Sequence, residues 1–170
     1  MMKNTKIIII SGFIILIILL AVFYRGYFDN NKEIEFFNDK FGIQLPKESK
    51  IILSNKSYGA MGDGYQVYIY QITSESMKNI AKKGRENHWS KLPLPSDFTA
   101  SFFKKIRAIT DETTSKLIPL DADQGYFVIR NNQTNASISG TNVFESSFDN
   151  VIIGMMNLDN NRIYLLSYNM

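Results

Sequence analysis

Two apolar runs flank a short polar turn in NVIIGMMNLDNNRIYLLSY, residues 150–168. The first run contains three β-branched residues, at positions 151–153, and the second contains Ile163, Tyr164 and Tyr168; β-branched and aromatic side chains favour strands. The connecting residues 158–161 are Leu-Asp-Asn-Asn, and Asp and Asn tolerate the left-handed backbone conformation that a tight turn requires. The stretch therefore predicts an antiparallel hairpin with strands at residues 150–157 and 163–168.

Three further strands are predicted upstream of this hairpin. Residues 51–53, 66–73 and 126–130 consist largely of strong strand formers. The glycine-rich segment 59–64 lies between the first two. A phosphate-binding loop joins a strand to the N-terminus of a helix, whereas this segment leads into another strand. It is therefore predicted to be a hairpin connection.

Apolar residues spaced three and four positions apart predict three helices. The first ends at Gly42 as its C-cap, the second has Ser74 as its N-cap, and the third has Ser96 as its N-cap. Their apolar stripes are Ile34, Phe37 and Phe41; Met77, Ile80, Ala81 and Gly84; and Phe98, Phe102, Ile106 and Ile109. The fold class predicted for the domain is α+β, with an antiparallel sheet of about five strands and two or three helices on one face.

An N-terminal apolar segment, residues 7–24, is predicted to be a single transmembrane helix. Eighteen residues at a rise of 1.5 Å give about 27 Å, close to the roughly 30 Å hydrocarbon core of a bilayer. Lys3 and Lys6 precede the segment and only Arg25 follows it closely, so the N-terminus is predicted to stay in the cytoplasm. A cleaved signal peptide is the alternative, although Leu19-Leu20-Ala21 offers a bulky residue where cleavage requires a small one.

This interpretation divides the chain into four parts. Residues 1–6 are a cytoplasmic N-terminus, residues 7–24 a signal-anchor helix, residues 25–33 a juxtamembrane linker, and residues 34–170 an extracytoplasmic α+β domain. The expected location is the cell membrane, with the domain outside. In outline the chain resembles short bacterial proteins made of one membrane helix followed by a small exported domain.

Composition excludes several classes of function. The chain has no cysteine, which removes thiolate nucleophiles, zinc-thiolate sites and disulfides. Lys3, Lys6 and Arg25 account for the net charge of +3, because the remaining chain has 16 basic and 16 acidic residues. A neutral folded part argues against nucleic acid as a partner. No cofactor is expected.

His88 is the one histidine in the chain and the first candidate for catalysis. It would serve as the general base of a serine hydrolase, but no Gly-x-Ser-x-Gly motif marks a nucleophile. The alternative is a polar residue at a helix end, beside Trp89, which anchors the loop to the core. A single histidine also excludes a multi-histidine metal site.

Carboxylates supply two weaker candidates. Asp121 and Asp123 resemble the opening of a calcium loop, but the twelfth position holds Asn132 instead of the bidentate glutamate. A polar turn before a strand is the alternative. A pair of carboxylates that cleaves glycosides would have to come from Glu48, Glu75, Glu112 and Glu145, all in polar, turn-like surroundings. No metal site is expected.

Charge is segregated along the domain. Residues 78–107 contain eight basic and two acidic residues, a net +6, whereas residues 108–170 contain three basic and seven acidic residues, a net −4. If both helices turn their polar sides outward, their cations form one patch for anionic lipid, anionic wall polymer or an acidic protein. The alternative is a pair of solvated helix faces. The predicted binding residues are Lys78, Lys82, Lys83, Arg85, Lys104, Lys105 and Arg107.

Three classes of function remain open. The first is a membrane-anchored, non-enzymatic binding or accessory module of the bacterial cell envelope, such as a subunit of a membrane machine or an immunity-type protein. Its partners would be the lipid bilayer, through residues 7–24, and an envelope protein or anionic surface. The second is an exported hydrolase that acts on cell-wall material. The third is a structural tether.

Overall fold

The computed structural model describes residues 14–18, 20, 32–59, 63–119, 121–138 and 150–169. The chain divides into two compact units, residues 1–36 and 37–170. Most of the predicted transmembrane segment 7–24 lies outside the described residues; those of it that are described, 14–18 and 20, are helical, with exposed apolar side chains. Within the described ranges, no helix combines the length and the apolarity needed to cross a membrane.

A six-stranded antiparallel sheet forms the centre of the second unit, so the α+β class is confirmed. Its spatial order is β1-β2-β6-β5-β4-β3, and every neighbouring pair is antiparallel. The strands are β1 (Lys50–Tyr58), β2 (Gly64–Gln71), β3 (Ser90–Lys91), β4 (Gly125–Asn131), β5 (Val151–Asn157) and β6 (Arg162–Asn169). The predicted β5–β6 hairpin is confirmed, and Asn161 in its turn has the expected positive φ of 54°. The sequence predicts five of these strands and not β3, because two residues are too few to leave a sequence pattern.

Helices cover both faces of this sheet. Residues 32–41 form α1, which precedes β1, and four helices lie between β2 and β4. They are α2 (Ser74–Glu86), α3 (Ser96–Phe98), α4 (Lys104–Ile109) and α5 (Glu112–Leu117), and a π-helical turn, Thr99–Phe103, joins α3 to α4. Phe102 and Ile106 pack on one sheet face in a core with Val67, Ile153 and Leu166.

The opposite face is covered by α2, Trp89 and the part of α1 that belongs to the second unit, residues 37–41. A methyl group added at Gly154 of β5 would lie 2.8 Å from the Trp89 indole and 3.0 Å from the Phe41 ring. Gly84 of α2 lies against the Met156 side chain. The prediction of helices on one face is therefore wrong. The reason is visible in β5, where all seven residues are buried; an uninterrupted apolar strand has no side left for water.

Helix ends and stripes follow the predictions with three exceptions. Ser96, predicted as an N-cap, is instead the first residue of α3; the cap position is Pro95, which forms no side-chain hydrogen bond. Gly42 ends α1 with a φ of 67°, and the predicted stripe of α2 is buried. The N-cap of α2 is Thr73, one residue before the prediction, and its hydroxyl accepts a hydrogen bond from the Ser76 N–H. The π turn adds a residue to one helical turn, so Phe103 is buried and Ile109 is 40% exposed. The prediction that Ile109 belongs to the buried stripe is wrong, because it requires an unbroken α-helical period.

Candidate functional site

The seven predicted binding residues fall into two groups on opposite sides of the sheet. Each of their side chains is exposed. The α2 group is Lys78, Lys82, Lys83 and Arg85, and the α4 group is Lys104, Lys105 and Arg107. Because α2 and α4 pack on different sheet faces, their polar sides point in opposite directions. The structure therefore does not bring the seven residues together as one patch.

Two members of these groups contact aromatic rings of the sheet. The Arg85 guanidinium lies 5.8 Å from the Tyr126 ring centroid and donates a hydrogen bond of 3.1 Å to the Tyr126 hydroxyl. Lys105 lies 5.5 Å from the ring centroid of Tyr168. Such contacts contribute about 0.5–1 kcal/mol at exposed sites. Both side chains therefore help to hold their helices against the sheet.

His88 terminates α2. Its φ is 58°, its N–H donates to the Arg85 carbonyl (3.1 Å), and the Trp89 N–H donates to the Gly84 carbonyl (2.9 Å). This pair of hydrogen bonds defines a Schellman motif, in which the left-handed position is usually glycine. Trp89 is 5% exposed. The arrangement agrees with the interpretation of His88 as a helix-end residue beside an anchoring tryptophan.

Two of the carboxylate candidates, Glu48 and Glu112, have partners of their own in different parts of the fold. Across the described ranges, no three acidic or histidine residues are arranged to hold a metal ion. Glu48 accepts a hydrogen bond from Ser76, Glu112 pairs with Lys116, and Glu145 lies outside the described residues. The predicted hairpin connection 59–64 does join antiparallel strands, β1 and β2, although its residues 60–62 lie outside the described ranges.

A solvent-open cleft of about 510 Å³ lies between α4, α5 and the β5–β6 hairpin. Its volume is within the range of small-molecule sites. Three cations from separate elements line it: Arg107 of α4, Lys116 of α5 and Arg162 of β6. The remaining lining residues are Leu117, Ile118, Pro119, Asp121, Asn160 and Tyr164. With three cations and one carboxylate, the cleft carries a formal charge of +2.

Gln71 fixes the hairpin side of the cleft. Its amide nitrogen donates to the carbonyls of Asn160 (3.0 Å) and Asn161 (3.1 Å), while its amide oxygen accepts from Nε of Arg162 (3.2 Å). The Asn160 amide donates to the Tyr164 hydroxyl at 3.1 Å. The bond to Gln71 engages one of the five N–H donors of Arg162. This hydrogen bond therefore orients the whole guanidinium. Because the group is planar, its remaining N–H donors are oriented as well.

Asp111 fixes the α5 side. Its carboxylate caps α5 by accepting from the Thr114 N–H (2.9 Å) and hydroxyl (2.7 Å), and it also accepts from the Asn55 amide of β1. These hydrogen bonds lower the pKa of Asp111 below its usual 3.8, and the bond from the Thr114 N–H has the largest effect. Asn55 donates to the Thr114 hydroxyl as well, at 2.7 Å. The network ties α5, and with it Lys116, to the sheet.

Lys116 can exchange its partner. Its ammonium lies 2.6 Å from a Glu112 carboxylate oxygen, with the two side chains 72% and 83% exposed. Exposed pairs of this kind contribute about 0–1 kcal/mol. Exchanging Glu112 for another anion would therefore cost Lys116 little free energy.

A smaller cleft of about 310 Å³ lies between α2 and the segment before β1. Lys47 and Lys83 line it, together with neutral residues. It contains one residue of the predicted α2 group, whereas the larger cleft contains Arg107 of the α4 group. Sequence reasoning missed Lys116 and Arg162, because both lie in the acidic last third of the chain and only the fold brings them beside Arg107.

No protein-family model matches the chain, and no characterised protein or solved structure shows significant similarity to it. A function for the domain therefore has to be argued from the chemistry of its own residues.

Proposed function

We propose that this chain is a single-pass membrane protein of the bacterial cell envelope whose folded domain is a non-enzymatic binding module for anionic ligands. Residues 7–24 lie in the bilayer, the N-terminus is cytoplasmic and the domain is outside. The observation that carries the proposal is the cleft in which Arg107, Lys116 and Arg162 meet. Three cations that line one cleft attract and orient an anion.

The proposed anchor is supported by the apolar composition of residues 7–24 and by Lys3 and Lys6 before them. Twenty or so apolar residues are unfavourable in water and favourable in lipid. Lysines near one end of the span favour the cytoplasmic side for that end. The domain then faces the envelope, where anionic headgroups and wall polymers are abundant.

Binding is favoured over hydrolysis by the roles of the candidate catalytic residues. His88 occupies the left-handed position of a helix C-cap, a structural role that needs no chemistry from its imidazole. The carboxylates Glu48 and Glu112 are engaged by Ser76 and Lys116. The cations of the cleft supply charge complementarity, which is a binding function.

Thermal unfolding of the full-length chain in a non-ionic detergent tests the binding module. A panel of carboxylates, sulfates and phosphates should include ligands that raise Tm, because a ligand at 100 times its Kd stabilises the folded state by about 2.7 kcal/mol. The double variant Arg107→Gln, Lys116→Gln should lose the increase. Lys91→Gln is the matched control, since Lys91 is exposed on β3 at the far edge of the sheet. If no anion class raises Tm, the binding proposal fails.

Alkaline washing of membranes and a C-terminal reporter test the anchor. We expect the full-length chain to stay in the membrane pellet at high pH, and a reporter fused after Met170 to be active only outside the cytoplasm. Release into the wash, or activity confined to the cytosol, would contradict the proposed topology.

A further inference from the structure

We infer that the cleft binds a small phosphorylated ligand that also carries an ammonium group, the chemistry of phosphoethanolamine. The inference rests on the proposed binding function and names its ligand class. Six side chains carry it: Arg107, Lys116, Arg162, Asp121, Asn160 and Tyr164.

The anion is a phosphate because three cations from three elements line the same space. A carboxylate has two oxygens and one negative charge, and a single arginine fork satisfies it. A phosphate monoester has three terminal oxygens and a charge of about −1.5 to −2 at neutral pH, so it matches two guanidinium groups and an ammonium.

The arginine nearest the hairpin is oriented before a ligand arrives. The Gln71 side chain accepts from Nε of Arg162 and donates to the turn carbonyls of Asn160 and Asn161. The guanidinium and the turn are therefore held by one amide group. A guanidinium already oriented loses less entropy when it binds an anion.

Asp121 adds a requirement that a simple anion does not meet. Its carboxylate lines the same cleft, yet within the described part of the chain it forms no ion pair with the three cations. A carboxylate repels phosphate and accepts hydrogen bonds from N–H donors. A ligand with phosphate at one end and ammonium at the other satisfies both sides of the cleft.

The cleft also has room for a ligand larger than an inorganic ion. About 510 Å³ lies within the size range of small-molecule sites. Phosphoethanolamine occurs as a soluble phosphomonoester and, as a diester, in lipid headgroups. Both present a phosphate and an ammonium group, but the diester has two terminal oxygens and one negative charge, so the three cations match the monoester better. The experiment must therefore separate the two sources.

Calorimetric titration of the full-length chain in a non-ionic detergent compares phosphoethanolamine with phosphocholine. Phosphocholine keeps the phosphate but its quaternary nitrogen has no N–H donor. We expect phosphoethanolamine to bind more tightly, by about tenfold, the effect of one charge-assisted hydrogen bond. Flotation with vesicles containing phosphatidylethanolamine or phosphatidylcholine tests the lipid source.

Substitutions test which cleft residues bind the phosphate and which residue binds the ammonium group. Arg162→Gln should weaken phosphoethanolamine binding at least about tenfold, and Lys116→Gln should weaken it too; because Lys116 is 72% exposed, that variant should fold normally. Asp121→Ala should abolish the preference for phosphoethanolamine over phosphocholine. Lys91→Gln should change neither ligand's affinity.

The outcomes separate this inference from the proposed function. If other anions bind but phosphoethanolamine has no advantage over phosphocholine, or if Asp121→Ala leaves that advantage intact, the ligand assignment is overturned and the anion-binding module stands. If no anion binds, both fail. Binding of soluble phosphoethanolamine without vesicle binding supports a soluble ligand, and binding of both supports a headgroup.

Discussion

Replacing His88 with glycine should stabilise the domain. His88 has a φ of 58° at the end of α2, a conformation that costs a residue with a Cβ roughly 1–2 kcal/mol. Glycine removes that cost but adds about 0.5–1 kcal/mol of chain entropy to the unfolded state. The difference predicts a gain of about 0.5–1 kcal/mol, or an increase in Tm of roughly 1–4 °C.

Urea unfolding of wild type, His88→Gly and His88→Ala in parallel measures the effect. Alanine keeps the Cβ, so its stability should stay within about 0.5 kcal/mol of wild type. Anion binding in the cleft should be the same in all three, because His88 lies at the C-terminus of α2 and not among the cleft residues. A less stable glycine variant would refute the assignment of His88 to a helix cap, and loss of binding or turnover in a folded alanine variant would restore it as a functional residue.

Four further substitutions test the core and the support of the cleft. Gly154→Ala should destabilise by about 1–3 kcal/mol in urea unfolding, because its methyl group would lie 2.8 Å from Trp89. Phe102→Ala should cost about 3–5 kcal/mol and Ile109→Ala less than about 1 kcal/mol, since their exposures are 0% and 40%; equal costs would contradict the π turn. The lowered pKa of Asp111 means that its carboxylate stabilises the fold above its unfolded pKa and that this contribution is lost as pH falls through the folded pKa. Wild type should therefore exceed Asp111→Asn in stability at pH 7 and lose that advantage in acid, as unfolding at both pH values would show.

Local sequence patterns predict the parts of this fold that local physics determines. The β5–β6 hairpin follows from two strand-forming runs around a turn, and the buried side of α2 follows from the spacing of Met77, Ile80, Ala81 and Gly84. The π turn does not follow, since its extra residue is a response to packing Phe102 and Phe103 together on the sheet.

The two features that the sequence analysis does not predict, the helices on both sheet faces and the cleft, depend on contacts between distant parts of the chain. The apolar run of β5 predicts a strand and, because it is almost unbroken, also implies that both faces of the sheet are covered. The cleft has no local signal, because Arg107, Lys116 and Arg162 are separated in the chain and meet only after β6 enters the sheet. Arg107 belongs to the basic segment 78–107, whereas Lys116 and Arg162 belong to the acidic segment 108–170. A charge count by segment therefore does not predict that the three residues line one cleft.

The position of β6 has a consequence for biogenesis. It lies between β2 and β5 at the centre of the sheet, and its residue Arg162 contacts Gln71 of β2 across 91 positions of sequence. The β1–β2 hairpin must therefore wait, with one edge unpaired, until a strand synthesised much later reaches it. During synthesis that interval is when the nascent chain is most exposed to proteases and to pairing with other strands, and a chaperone that covers the unpaired edge would act at this stage.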